Sequence, residues 1–195
     1  VLQQALNLPG TPRWLQQVHG TTVAELGPLP GEHEPQADGA VSRIPGTVLA
    51  ILTADCLPVL FCADDGSAIG AAHAGWRGLA AGVLEATIEQ MQIAPSRQLA
   101  WLGPCIAGPS YEVGEEVRAA FVDPSAAAAA CFTATRPGHW HCDLAALARQ
   151  RLTAAGVARV HGGGFDTFVD PRFYSYRREG ARSGRFASLI WLANG

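Results

Sequence analysis

The sequence lacks the paired cysteines of a disulfide-stabilised secreted protein. Its five cysteines are an odd number without a Cys-x-x-Cys pair; they are Cys56, Cys62, Cys105, Cys131 and Cys142. Disulfide frameworks belong to oxidising compartments, whereas unpaired cysteines are typical of reducing ones. We therefore expect a cytoplasmic protein in which most cysteines are small buried side chains and any special one is a metal ligand or a nucleophile.

Long apolar runs and an excess of one charge are also missing. No run approaches about 18 apolar residues, so no transmembrane helix is expected, and no charged-then-apolar signal peptide begins the chain. The net charge is −3 and the arginines are scattered, which argues against nucleic acid or membrane as a partner. With 48% hydrophobic residues, residues 1–195 are predicted to form one domain with a substantial core, as a monomer or weak homo-oligomer.

Short apolar runs predict strands more often than helices. Residues 48–52 and 69–72 are expected to be buried strands, residues 13–18 another, and residues 172–177 and 185–192 the two closing strands. These strands do not alternate regularly with helices. We therefore predict an α+β or mixed α/β fold, in which outer helices cover the sheets.

Two helices are predicted with some detail. Residues 79–92 carry apolar side chains at helical spacing, which are Leu79, Val83, Leu84, Ile88 and Met91. Asp143 is placed to cap a helix that runs to Ala155, and Gly156 is expected to end it.

Reactive side chains stand where predicted strands meet turns. Cys56 follows the strand at 48–52, His73 follows the strand at 69–72, and His19 ends the strand at 13–18. Imidazole and thiolate together suit zinc, and three protein ligands leave an open position for water or substrate. A competing pair, His139 and His141, would share one face of an extended segment. It follows a loop signal and precedes a helix cap, and we favour a surface position for it.

The same residues permit thiol chemistry. Cys56 as nucleophile, His73 as base and either Asp38 or Asp55 as the group that orients the base would form a thiol hydrolase. The residues alone leave the metal and the nucleophile hypotheses both open, because both use Cys56 and His73.

A glycine-flanked turn, Gly75-Trp76-Arg77-Gly78, lies at the predicted start of a helix. Backbone N–H groups, the helix dipole and a guanidinium would suit phosphate or another anion. The alternative is structural: the glycines permit a tight turn and Arg77 pairs with Asp55.

Seven ordered blocks that together span nearly the whole chain closely resemble the YfiH/YlmD family. The blocks are QVHG (17–20), ADGAVS (37–42), TADCLPVLF (53–61), AAHAGWRG (71–78), GPCIAGPSYEVG (103–114), DLAALARQRL (143–152) and FYSYRRE with SGRFAS (173–188). This bacterial laccase-domain, or multicopper-oxidase-like, family has been reassigned as purine nucleoside phosphorylases. By motif, the resemblance implies that His19, Cys56 and His73 are zinc ligands.

The resemblance also implies activities. Family members are described as phosphorylases of adenosine, inosine, guanosine and methylthioadenosine that also deaminate adenosine. Copper-dependent polyphenol oxidation is ascribed to some, and amidase editing of a peptidoglycan precursor to others. The implied fold is a set of sheets covered by helices, related to cysteine-dependent deamidase toxins.

Three departures from the family pattern are visible. The family's N-terminal segment with a Thr-Arg-x-Gly-Gly motif is absent, so we expect residues 1–195 to lack that part. Asp166-Thr167 stands where many members have Cys-Thr, and the block at 103–109 has one extra residue.

From the residues and the resemblance together, we predict a phosphorylase that uses Zn²⁺, with Cu²⁺ as the alternative metal. Its partners would be a small-molecule nucleoside and phosphate. Cys56, Asp55 and Arg77 are the predicted catalytic residues, and Arg77 with Arg177 would bind phosphate. Asp55 is expected to orient an imidazole or to move a proton.

Overall fold

The computed structural model describes residues 2–193 of the chain. Its strands are β1 (Pro12–Arg13), β2 (Val23–Glu25), β3 (Gly39–Ser42), β4 (Val48–Thr53), β5 (Leu57–Ala63), β6 (Ile69–Ala74), β7 (Gln98–Leu102), β8 (Glu112–Gly114), β9 (Phe132–Arg136), β10 (His139–Cys142), β11 (Arg159–Gly162) and β12 (Phe186–Trp191). Its α-helices are α1 (Leu2–Ala5), α2 (Trp76–Ala81), α3 (Val83–Gln90), α4 (Glu115–Val122), α5 (Leu144–Ala154) and α6 (Tyr176–Glu179). Short 3-10 helices span Pro95–Arg97, Gly108–Ser110, Ala126–Cys131 and Gly180–Arg182.

A six-stranded mixed sheet, in the order β11-β7-β5-β6-β3-β2, forms the centre of the fold. A three-stranded sheet, β1-β4-β12, packs on one of its faces, and α3 packs on the other. A second small sheet has the order β8-β10-β9. The predicted α+β class, with helices covering sheets, is confirmed.

Both faces of the central sheet are buried because its strands carry small or apolar side chains on both sides. In β6, Ile69 and Ala71 join the core shared with the small sheet, whereas Ala72 and Ala74 join the core beneath the helices. This period-two division is what a strand imposes on its side chains. As a result, the end of β6 is held rigidly between two layers, and His73 lies at that end.

The predicted helix over 79–92 is two helices. Gly82 separates α2 from α3 with φ of 105°, in the left-handed region, and its backbone N–H donates to the carbonyls of Gly78 and Leu79. The five predicted apolar side chains are nevertheless all buried. Periodicity therefore identified the buried face and missed the break, because a left-handed glycine leaves that spacing intact.

Two predicted strands are wrong. Within the segment at 13–18, only Arg13 lies in a strand, and Gln16 forms an isolated bridge to Gln36. The next residue, Gln17, bonds to the backbone N–H and carbonyl of Leu52 (2.9 and 2.8 Å) through its side chain. Residues 172–175 lead irregularly into α6, and residues 176–177 are already in that helix. There Ser175 caps the helix, its hydroxyl accepting from the Arg178 N–H at 3.2 Å.

Two other local predictions, the helix cap at Asp143 and the burial of most cysteines, are confirmed. The Asp143 carboxylate accepts from the Ala146 N–H at 2.8 Å and caps α5, which ends just before Ala155. Three cysteines, Cys105, Cys131 and Cys142, are buried. No helix within residues 2–193 is both long enough and apolar enough to span a bilayer.

We expect Gly82→Ala to lower the free energy of unfolding by about 1 kcal/mol, because a Cβ disfavours the left-handed conformation. The added methyl group would meet only ordinary contacts beyond 3.4 Å, so the cost comes from the backbone. Urea denaturation measures it. Gly164→Ala, where the methyl group meets open space, is the control, and equal stability of the two variants would contradict the explanation.

Candidate metal centre

His19, Cys56 and His73 come together although they lie in three different segments. One ligand atom from each lies within 4.8 Å of the other two, and no other such trio is found in the part of the chain that the structure describes. Nε2 of His19 is 3.8 Å from Sγ of Cys56, and the two imidazole rings are 4.7 Å apart between centroids. Two nitrogens and one sulfur at this spacing are a donor set that zinc and copper both accept.

The strand register explains two of the three positions. β5 pairs with β6 so that Leu57 faces Ala74, which places Cys56 beside Gly75, two residues from His73. His19 arrives separately on the turn before β2, in a left-handed conformation with φ of 62°. His73 is buried and His19 is exposed, so the trio lies where the core opens to solvent.

The carboxylate of Asp38 holds both histidines. Its Oδ1 lies 2.8 Å from Nδ1 of His73 and accepts from the His19 backbone N–H at 2.9 Å, while Oδ2 accepts from the N–H groups of Val18 (3.1 Å) and Gly20 (2.7 Å). With Nδ1 of His73 donating to this carboxylate, Nε2 is the atom left for a metal. Metal-ligating histidines commonly have such a carboxylate partner.

The electrostatics of the trio favour a thiolate. Burial alone would raise the pKa of Cys56, but hydrogen bonds and charge from His19 and His73 lower it to about 6. Burial alone would lower the pKa of His73, but Asp38 and Cys56 raise it to about 9. Burial likewise opposes ionisation of Asp38, yet its bonds to His73 and to three N–H groups lower its pKa. The thiolate is the form that binds metals and attacks electrophiles.

The sequence left Asp38 and Asp55 as alternatives for the group that orients His73, and the structure selects Asp38. Asp55 forms no hydrogen bond or ion pair with an imidazole or with Arg77, so it has neither of these two predicted contacts. Its role as a proton carrier stays a prediction. Its Oδ1 accepts from the Thr167 hydroxyl at 2.7 Å and its Oδ2 from the Arg177 N–H at 2.6 Å. Both oxygens are therefore used by a segment that is distant in sequence.

The glycines of the Gly75-Trp76-Arg77-Gly78 turn make room for the trio. A Cβ on Gly75 would lie 2.7 Å from Cδ2 of His19 and 3.0 Å from Sγ of Cys56, and one on Gly78 would lie 2.9 Å from the Gly20 carbonyl oxygen. The turn thus lets the loop of His19 approach the end of β6. Arg77 is exposed, with its guanidinium 4.4 Å from the centroid of the Trp76 ring.

The trio opens into a cavity of about 640 Å³ that also contains Asp55, Arg77 and Arg177. Sequence reasoning missed three further lining residues, Tyr111, Tyr176 and Arg185. The signal was present, since all three stand inside the blocks of family resemblance, but nothing in the blocks says which side chains face one cavity.

Three guanidiniums in this cavity have no carboxylate partner. Among residues 2–193, none of Arg77, Arg177 and Arg185 forms an ion pair, although ten ion pairs link other acidic and basic side chains. Arg177 instead lies over the Tyr111 ring (5.3 Å) and Arg185 over the Tyr176 ring (5.8 Å). Unpaired guanidiniums that line a cavity suit an anionic ligand.

His139 and His141 lie on β10, both half-buried, and they do not belong to a three-residue ligand cluster. Nδ1 of His139 lies within hydrogen-bonding distance, 3.2 Å, of the Pro137 carbonyl oxygen. The pair stands apart from the cavity that holds the trio.

We expect Asp38→Asn to weaken Zn²⁺ binding by about 10- to 100-fold, because the amide removes the charge and turns a donor toward N–H groups. Competition against a chelator measures the affinity, and circular dichroism checks the fold. Asp65→Asn, on an exposed turn, is the control. Unchanged affinity in a folded Asp38→Asn protein would contradict the role assigned to this carboxylate.

The profile of the family described as "Multi-copper polyphenol oxidoreductase laccase" matches residues 1–193. A Xylella fastidiosa protein named purine nucleoside phosphorylase is 54% identical over 98% of this chain and 76% of its own length. The Escherichia coli purine nucleoside phosphorylase YfiH is 49% identical over 95% of this chain and 76% of its own length. The chain thus spans about three quarters of these relatives.

Solved structures show the same fold. A Neisseria meningitidis protein superposes with a TM-score of 0.92 at 45% identity, covering 99% of this chain and 78% of that protein. YlmD from Geobacillus stearothermophilus superposes with a TM-score of 0.90 at 27% identity and the same coverage. With the profile matched almost end to end, the chain belongs to the laccase-domain family of YfiH and YlmD.

Proposed function

We propose that the protein is a zinc-dependent purine nucleoside phosphorylase that also deaminates adenosine. Its proposed substrates are adenosine, inosine, guanosine and methylthioadenosine, together with inorganic phosphate. One observation carries the proposal: a ligand trio and three unpaired guanidiniums line the same cavity. The names of the relatives support the reaction class.

His19, Cys56 and His73 would hold the metal. Zinc supplies Lewis-acid chemistry when it is bound by such a set. Asp38 keeps Nε2 of His73 turned toward the metal position by accepting from Nδ1–H. It also fixes the backbone of His19 through that residue's N–H, so one carboxylate orients two ligands.

The remaining cavity fits a nucleoside and phosphate. Its volume of about 640 Å³ is in the range of small-molecule sites, roughly 300–1,000 Å³. Trp76, Tyr111 and Tyr176 provide aromatic faces on which a purine can stack. In phosphorolysis a phosphate oxygen attacks the ribose C1′ while the glycosidic C–N bond breaks, and the purine nitrogen takes the electron pair and a proton.

Arg77 and Arg177 are proposed to bind the attacking phosphate, and Arg185 adds a third positive charge at the same cavity. Burial raises the pKa of Tyr111 above its usual value, although Arg177 and Arg77 act in the opposite direction. The phenol therefore stays protonated at neutral pH and can donate a hydrogen bond to phosphate.

Two alternatives use Cys56 and His73 of the same site. Cys56, His73 and Asp38 have the contacts of a thiol hydrolase, with a thiolate, an imidazolium and an orienting carboxylate. Copper-dependent oxidation of a phenol agrees with the family description. A single trio would hold one ion, so that oxidation would require one copper where a multicopper oxidase uses several.

The deciding experiment pairs metal analysis of the protein, purified without added metal, with release of adenine from adenosine. Near-stoichiometric zinc and strictly phosphate-dependent adenine formation are expected. Cys56→Ala should lose the metal and the activity together, because it removes the only sulfur ligand. Full phosphorolysis by a folded, zinc-free Cys56→Ala protein would sink the proposal. Copper with phenol oxidation, or inactivation by thiol alkylation with indifference to chelators, would favour one of the alternatives.

Arg177→Gln is expected to raise the KM for phosphate about tenfold or more, since a charge-assisted hydrogen bond contributes about 1.5–3 kcal/mol. Zinc content should not change. Steady-state kinetics with varied phosphate measure the effect, and Arg182→Gln, an exposed arginine outside the cavity, is the matched control. An equal effect in both variants would mean that general surface charge, and no specific contact, attracts phosphate.

A further inference from the structure

We propose that Asp55, acting through Thr167, is a positioning residue that ties the anion-binding segment to the metal centre. This segment, residues 166–185, is called the arm below; it carries Tyr176, Arg177 and Arg185. The kinetic consequence rests on the proposed phosphorylase function. Whether Asp55 holds the arm in place is a structural question that can be tested separately.

The Asp55 carboxylate is committed to the arm. Oδ1 accepts from the Thr167 hydroxyl and Oδ2 from the Arg177 backbone N–H, at 2.7 and 2.6 Å across 112 and 122 residues of sequence. Only 9% of Asp55 is exposed, and it makes no bond to His19, His73 or Arg77. A buried carboxylate whose oxygens both serve one distant segment is placed to hold that segment.

The conformation of Asp55 supports the same role. Its φ is 91°, a left-handed value that is unfavourable for a residue with a Cβ. This backbone turn comes directly before Cys56 and presents the carboxylate to the arm. The two hydrogen bonds to the arm offset the strain, so the end of β4 and the arm stabilise each other.

The arm has little regular structure of its own. It contains α6, of four residues, and a 3-10 helix of three. Arg178 holds it together internally, because its guanidinium donates to the carbonyls of Thr167, Phe168 and Phe173. The start of the arm is anchored at Asp166, whose carboxylate accepts from the Ser110 hydroxyl at 2.6 Å and from the Ala107 N–H at 3.3 Å. Beyond that anchor, the placement of Arg177 over the cavity depends on a few outside contacts.

Arg177 itself forms few hydrogen bonds with residues outside the arm. Its guanidinium donates to the Glu112 carbonyl oxygen at 3.2 and 3.3 Å, and its backbone N–H donates to Asp55. The metal ligands are held by a different carboxylate, Asp38. Loosening Asp55 should therefore disturb anion binding and leave metal binding intact.

Asparagine and glycine at position 55 distinguish a tie from a proton carrier. In Asp55→Asn the amide oxygen can accept from the Arg177 N–H and the amide nitrogen can donate to the Thr167 hydroxyl, and asparagine tolerates a positive φ. Asp55→Gly suits the backbone but removes both bonds. If Asp55 positions the arm, Asp55→Asn should impair phosphate binding less than Asp55→Gly does. If Asp55 carries a proton, both variants should lose kcat.

The experiment compares Thr167→Val, Thr167→Ser, Asp55→Asn and Asp55→Gly with the unaltered protein and with Asp170→Asn. Asp170 lies in the arm but pairs with Arg172 and does not touch Asp55. The readouts are zinc content, kcat and KM for phosphate, and deuterium uptake of residues 175–179. Thr167→Val should raise the KM for phosphate about tenfold, with kcat changed much less, because one buried acceptor loses its donor. Thr167→Ser, which keeps the hydroxyl, should reverse most of that change.

Deuterium uptake at 175–179 should rise in Thr167→Val and Asp55→Gly and stay unchanged in Asp170→Asn, with zinc retained in all of them. The proposal is overturned if Asp55→Asn and Asp55→Gly lose kcat equally at unchanged KM, or if Thr167→Val leaves both uptake and KM unaltered. If the unaltered protein shows no phosphorolysis, the proposed function fails. The uptake data still decide whether Asp55 holds the arm.

Discussion

The candidate metal centre depends on one buried anion, the carboxylate of Asp38. It accepts from three consecutive backbone N–H groups around His19 and from the imidazole of His73, and it is fully excluded from solvent. A buried carboxylate without these donors would be costly, and with them it is held in one orientation. The left-handed turn at His19 and the ring orientation of His73 are therefore consequences of a single set of hydrogen bonds.

Close packing also fixes the positions of His19, Cys56 and His73. The central sheet is covered on both faces, so the end of β6 cannot shift, and the glycines at 75 and 78 let the His19 loop lie against it. Any larger side chain at position 75 would occupy space taken by His19 and Cys56. Two constraints of different kinds, a buried carboxylate and a lack of side-chain volume, thus act on the same three ligands.

Two carboxylates divide the site between them. Asp38 serves the ligands, whereas Asp55 serves the segment that brings Arg177 and Tyr176 to the cavity. Asp38 and Asp55 both lie near Cys56, but they have different hydrogen-bond partners and therefore different roles. The family description names copper oxidation, while the names of the relatives specify phosphorolysis; in this chain both would draw on one ligand trio, and the unpaired guanidiniums beside it favour the phosphate reaction.

The sequence by itself determined whatever depends on local pattern and on recognisable blocks. The apolar faces of the helices, the cap at Asp143, the fold class and the grouping of His19, Cys56 and His73 in one place were all predictable. Only the tertiary structure decided that Asp38 orients His73, that residues 172–177 turn into a helix, and that Tyr176 and Arg185 face the cavity. Those features depend on contacts between groups up to 122 residues apart, and local spacing carries no information about which distant donor a buried carboxylate will meet.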